Sequence, residues 1–76
     1  MNIIITGGCG FVGSSLSLYL KKNLKKSKIL SIDNLSKNYS KFNQKILKKH
    51  NIENKKINLG KFNSLKSVNF KADIII

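Results

Sequence analysis

The chain has no arginine, no proline and no tryptophan, and its 76 residues include one cysteine and three acidic residues. A lone Cys9 cannot form an internal disulfide, which fits a reducing, cytoplasmic compartment. No apolar run approaches the roughly 18 residues of a membrane span. Met1-Asn2 offers no basic segment ahead of the first apolar run, so a signal peptide is not expected either. Neither a membrane nor a specific nucleic acid is an expected partner. All fifteen basic residues are lysine, and the formal net charge is +12. Arginine supplies the bidentate fork that grips phosphate and guanine, so a charge made of lysine alone carries no recognition geometry. The lysines are dispersed through the polar positions from Lys21 to Lys71 among abundant Asn and Ile. This reads as a compositional bias giving a solvated surface that attracts polyanions weakly and in a salt-dependent way.

Hydrophobic residues make up 41% of the chain and fall in short blocks, as in a globular chain or a piece of one. At this length there is room for one small domain, which buries only about 60% of the surface of its unfolded chain. Residues 2–6, NIIIT, form a β-branched run without polar alternation, the pattern of a strand covered on both faces. Residues 11–26, FVGSSLSLYLKKNLKK, place Val12, Leu16, Leu20 and Leu24 at four-residue steps, with Phe11, Leu18 and Tyr19 beside them. This predicts an amphipathic helix whose stripe of Val12, Leu16 and Leu20 packs into the core, ending in lysines that suit the negative end of its dipole. Residues 28–33, KILSID, predict a second strand closed by an acid. Residues 40–49 predict a second helix, with Phe42, Ile46 and Leu47 at helical spacing and a solvent-exposed His50 beyond its end. Residues 55–60 and 62–70 are a weaker third strand and third helix, and KADIII reads as a fourth strand with Asp73 serving structure at its start.

The order β-α-β-α-β-α-β is that of an α/β fold, a doubly wound, Rossmann-like parallel sheet with helices on both faces. In such a sheet the strand after the third helix returns beside the first, near the centre. A chain closing on Ile74-Ile75-Ile76 would leave that strand's far edge uncovered. Residues 1–76 are therefore expected to be the amino-terminal part of a larger nucleotide-binding domain, truncated within the fourth strand.

Four of the five glycines lie in ITGGCGFVG, between the first strand and the first helix. A helix amino terminus at that place favours an anion, through unpaired N–H groups and the helix dipole. Gly7, Gly10 and Gly13 give a GxxGxxG spacing: the first for a tight turn, the second for close approach of phosphate oxygens, the third for packing helix on strand. The N–H groups of Phe11 and Val12 are the expected donors. A dinucleotide site also needs an acid about 20 residues on, at the end of the second strand, for the adenosine ribose. Asp33 follows Gly13 by twenty positions and closes KILSID. A carboxylate there disfavours a 2′-phosphate, so NAD is expected over NADP.

Thr6, Gly7, Gly8, Gly10, Phe11, Val12 and Gly13 match the TGGxGFxG fingerprint of the extended short-chain dehydrogenase/reductase family, the NAD-dependent nucleotide-sugar epimerases and dehydratases, which this chain resembles. The stretch Asp33-Asn34-Leu35-Ser36 is similar to the family's D-N-L-S at the end of the second strand, and Asp73-Ile74-Ile75-Ile76 to its D-x-x-[IV]. Ser40 and Asn43 extend the first of these towards the D-N-L-S-x-x-x-S-x-x-N of CDP-sugar 2-epimerases. The resemblance implies that Gly7, Gly10, Phe11, Val12 and Gly13 hold the pyrophosphate of NAD, and Asp33 and Asn34 the adenosine ribose. It further implies a nucleotide-sugar substrate, transient hydride transfer and, in a longer parent, a homodimer formed through later helices. The family's Y-x-x-x-K pair is absent: Tyr19 is followed four positions on by Asn23, and Tyr39 by Asn43. No catalytic residue is therefore expected within this chain. Where the family has G-D-[IL] after the third strand, with the Asp near the adenine amino group, this chain has Gly60-Lys61-Phe62, and a lysine cannot accept that hydrogen bond.

Three readings stand at this point: the NAD-binding portion of an epimerase or dehydratase, a nucleotide-binding module without catalysis, and a basic nucleic-acid binder. A later Y-x-x-x-K separates the first two. Tight duplex binding that survives physiological salt marks the third.

Overall fold

The computed structural model describes residues 1–58, 68 and 70–76. The chain runs β1 (Asn2–Thr6), α1 (Phe11–Asn23), β2 (Lys28–Ile32), α2 (Ser40–Lys49), β3 (Glu53–Lys55) and β4 (Ile74–Ile75). The four strands form one sheet in the order β3-β2-β1-β4, every pair parallel. This is the α/β arrangement expected, with β4 returning beside β1. The predicted third helix, residues 62–70, and Gly60-Lys61-Phe62 lie outside the described residues, Val68 and Phe70 excepted.

β1 is buried on both sides, as its unbroken isoleucines require. Ile3 and Ile5 join Ile29, Cys9, Leu47 and Ile52 in one cluster, against which Leu16, Leu18 and Leu20 of α1 pack. Ile4 points the other way, with Leu30 and Ile32, and is covered by Ile57, Val68, Phe70 and Ala72. The period of two thus sorts the side chains of β1 and β2 between two cores. On the side of β1 away from β2, the Asp73 carboxylate accepts the Asn2 N–H at 2.7 Å while the Asp73 N–H donates to the Asn2 carbonyl. This clamp sets the start of β4 against β1, the structural role expected of Asp73.

Two expectations about packing and pairing need correction. Val12 is not in the core: it is 75% exposed, and the fully buried face of α1 is Ser14 and Ser17. The helix approaches the loop before it so closely that small residues occupy the contact, while Leu16 and Leu20 lie half-buried at its edge. Of the apolar residues at helical spacing in α2, Phe42 is 66% exposed and Leu47 is the one buried in the core. The third strand lies at Glu53–Lys55, earlier than residues 55–60. It is an outer strand within the described sheet, so it needs no apolar alternation, and it is held by the polar contacts of Asn54 described below.

The helix ends follow from local chemistry. α1 stops at Asn23 and not at residue 26, because the chain turns at Leu24, whose carbonyl accepts the Ser27 N–H, to feed Lys28 into β2. α2 ends in a left-handed residue, Asn51 at φ 62°. The Ile52 N–H bonds back to the Leu47 carbonyl at 2.9 Å and the Asn51 N–H to that of Lys48 at 3.0 Å. Leu47 and Ile52 then meet in the core, the apolar contact that accompanies this helix ending.

Candidate functional site

The loop between β1 and α1 is built by its glycines. Gly7 has φ +64°, a left-handed conformation that lets the chain leave β1 while its N–H stays bonded to the Ile32 carbonyl at 2.7 Å. The Gly7 carbonyl then accepts the Gly10 N–H at 2.9 Å, closing the turn. A Cβ at Gly13 would fall on the Gly7 carbonyl oxygen and lie 2.8 Å from its carbon. Only glycine lets the first turn of α1 rest on the loop at this distance. Gly8 is packed as closely: a Cβ there would overlap the Ser31 hydroxyl and lie 2.6 Å from the Ser31 Cβ.

The result is a helix amino terminus with nothing of its own to satisfy it. The first intrahelical bond runs from the Ser14 N–H to the Gly10 carbonyl at 3.0 Å. The N–H groups of Phe11, Val12 and Gly13 precede it and have no acceptor within the helix. Gly10, the N-cap, has no side chain to cap them, and the first turn holds no acid. Phe11 and Val12 are 81% and 75% exposed, so the mouth of the loop is open. These are the features of an anion site at the carboxyl end of a parallel sheet.

Asp33 stands directly beside this mouth. Its Oδ2 accepts the Cys9 N–H at 3.1 Å and its Oδ1 the Leu35 N–H at 2.8 Å. The second bond makes a tight turn in which Leu35 is left-handed, φ 60°, and Asn34 repeats the motif by accepting the Ser36 N–H at 3.1 Å. The carboxylate is thus fixed by two backbone donors, and each oxygen keeps acceptor capacity. The structure therefore brings Gly7, Gly10, Phe11, Val12, Gly13 and Asp33 together at one end of the sheet. Asn34 is the outlying member, exposed and turned to its own loop.

No protein-family model matches the chain, and no solved structure matches it. Two curated proteins are similar over part of its length. A dTDP-D-glucose 4,6-dehydratase of Dictyostelium discoideum is 58% identical over 33 residues, 43% of this chain and 8% of that protein. An uncharacterized protein of Methanocaldococcus jannaschii is 46% identical over 39 residues, 51% of this chain and 12% of that protein. The chain spans about a tenth of the length of the curated relatives it matches.

Sequence reasoning gave Ser31 and Asn54 no role. The Ser31 hydroxyl donates to the Asn54 Oδ1 at 2.6 Å, and the Asn54 amide donates to the Asp33 carbonyl at 3.3 Å, beneath Gly8 and Cys9. The signal was present. A serine inside KILSI, in a strand covered on both faces, must find a buried partner. An open depression of about 510 Å³ lies off to the side, lined by Gln44, Lys48, Asn51, Ile52, Glu53 and Asn54. It contains none of the residues named from the sequence.

Cys9 is fully buried. Burial pushes its thiol pKa above the ordinary value of 9.0, and the Asp33 carboxylate adds to the rise against a lowering contact from Ser31. A raised folded-state value means that the protonated thiol is the native form. Its contribution to stability is complete below the unfolded-state value and is lost as pH rises through the folded one. At pH 8, iodoacetamide is expected to label Cys9 only as fast as the protein unfolds; labelling at the rate of a free thiol contradicts this. Among the described residues no helix is long and apolar enough to cross a membrane.

Proposed function

We propose that this chain is the NAD-binding portion of a nucleotide-sugar epimerase or dehydratase of the extended short-chain dehydrogenase/reductase family, working in the cytoplasm. The observation that carries the reading is the pairing of an uncapped, acid-free helix amino terminus with a carboxylate fixed 3.1 Å from the loop's own Cys9 amide. The partial likeness to a dTDP-D-glucose 4,6-dehydratase supports the same reading. In it the amides of Phe11, Val12 and Gly13 hold the pyrophosphate, over the bare backbone of Gly7 and Gly10. Asp33 takes the adenosine ribose hydroxyls, and Asn34 holds the turn beside it.

Bound NAD supplies a reversible hydride acceptor for one carbon of the sugar. This chain's share of the work is binding and orientation. The helix dipole offsets the pyrophosphate charge, and the Asp33 carboxylate selects an unphosphorylated ribose. Proton transfer falls to groups outside these 76 residues, since neither tyrosine is followed by the family's lysine.

The test is a calorimetric titration with NAD, on the native sequence and on Gly10→Val. A Cβ at Gly10 meets only the Gly7 carbonyl, at 3.1 Å, so the fold survives better than at Gly8 or Gly13 while the added methyls occupy the space a phosphate would enter. Saturable binding that Gly10→Val abolishes is the expected result. Absence of binding to the native sequence, or equal binding by both, contradicts it.

A further inference from the structure

Cys9 is held by two elements at once. Its N–H donates to Asp33, just past β2, and its carbonyl accepts the Asn43 side-chain amide from the first turn of α2 at 2.9 Å. These contacts fix different peptide groups. Asp33 holds the peptide joining Gly8 to Cys9; Asn43 holds the one joining Cys9 to Gly10, and Gly10 is the residue that caps α1.

We propose that Asn43 is a positioning residue for the dinucleotide site, which sets the Cys9–Gly10 peptide and through it the direction of the Phe11, Val12 and Gly13 amides. This rests on the dinucleotide reading above. The division of labour follows from the two bonds. The Asp33 carboxylate has a second task, since its remaining lone pairs take the ribose hydroxyls, and an oxygen shared by two donors holds each less tightly than it holds one. Asn43 faces no such competition, because its acceptor is a main-chain carbonyl within the loop. Its placement is independent of the ribose contact, as α2 is anchored separately by Leu47 in the core. Asn43 itself is half-buried, which shields its bond from water without making the side chain part of the core.

A loop-setting role predicts a split between ligands. Adenosine needs Asp33 but no pyrophosphate amides, whereas NAD needs both. Asn43→Leu keeps the branched four-atom skeleton and removes the donor, and Asn43→Ala removes both. In each, NAD is expected to bind roughly tenfold more weakly, the value of one hydrogen bond of about 1.4 kcal/mol. Adenosine binding should stay within about twofold, because it does not use the displaced amides. Equal weakening of both ligands, or no change in either, overturns the positioning role. A native protein that binds neither ligand overturns the dinucleotide reading itself, and this inference with it. Should the variants fail to fold, side-chain amide exchange in the native protein decides. Protection of the Asn43 NH₂ protons relative to those of exposed Asn38 is expected; equal exchange contradicts the bond on which the role depends.

Discussion

Replacing Gly13 by alanine is expected to destabilise the fold by about 3 kcal/mol, more than most single surface substitutions and near the upper end for overpacking. The clash is with backbone: the new methyl would overlap the Gly7 carbonyl oxygen and lie 3.0 Å from the Gly8 Cα. No side chain can rotate away to relieve it. Relief requires α1 to lift from the loop, which uncovers Ser14 and Ser17, both buried against the sheet side of the helix. Denaturant unfolding of the two proteins measures the difference. A cost below about 0.5 kcal/mol, the range of neutral surface changes, would mean that the contact is slack. Gly8→Ala makes an informative comparison, because the atom it meets first is the Ser31 hydroxyl. That hydroxyl is committed to Asn54 at 2.6 Å, so moving it breaks the polar bridge that reaches Asp33.

The second large effect is discrimination between the two nicotinamide dinucleotides. NADP adds a phosphate at the 2′ position, where the Asp33 carboxylate is expected to meet the ribose. Bringing like charges together in a partly buried site costs several kcal/mol, so NAD should bind at least ~100-fold more tightly than NADP. The carboxylate cannot turn aside cheaply, because Cys9 and Leu35 hold its two oxygens at 3.1 and 2.8 Å. Asp33→Asn keeps the shape and removes the charge, and should shrink the preference to less than about tenfold by sparing that repulsion. Equal affinity for NAD and NADP in the native protein removes the ribose role from Asp33.

Most of this arrangement was legible from residues 2 to 49, for physical reasons. A run of isoleucines without alternation is compatible only with burial on two faces, and β1 lies there. Glycines placed four, seven and ten residues before Ser17 fixed where the loop and the helix meet. The errors arose where hydropathy was read without sterics. Val12 belongs to an apolar stripe by periodicity, but the helix is so close to the loop at Gly13 that serines take the contact and Val12 is left in the open. β3 was placed too late, at residues 55–60, because its own residues, Glu53, Asn54 and Lys55, carry no apolar signal. Its pairing with β2 is written in a polar side chain, Asn54, whose partners Ser31 and Asp33 are more than twenty residues away. The tie from Asn43 to Cys9 has the same character: it spans 34 positions, and no local pattern announces it.

The central claim is that a dinucleotide pyrophosphate sits on the amides that open α1. A titration of ¹⁵N-labelled protein with NAD, followed by amide chemical shifts, tests it residue by residue. The account predicts that the amides of Phe11, Val12 and Gly13 shift together and saturate, with Cys9 and Leu35 responding as Asp33 is shared with the ribose. Shifts confined to Gln44, Lys48 and Asn54, around the depression between α2 and β3, or no saturable shift at the loop, would contradict it.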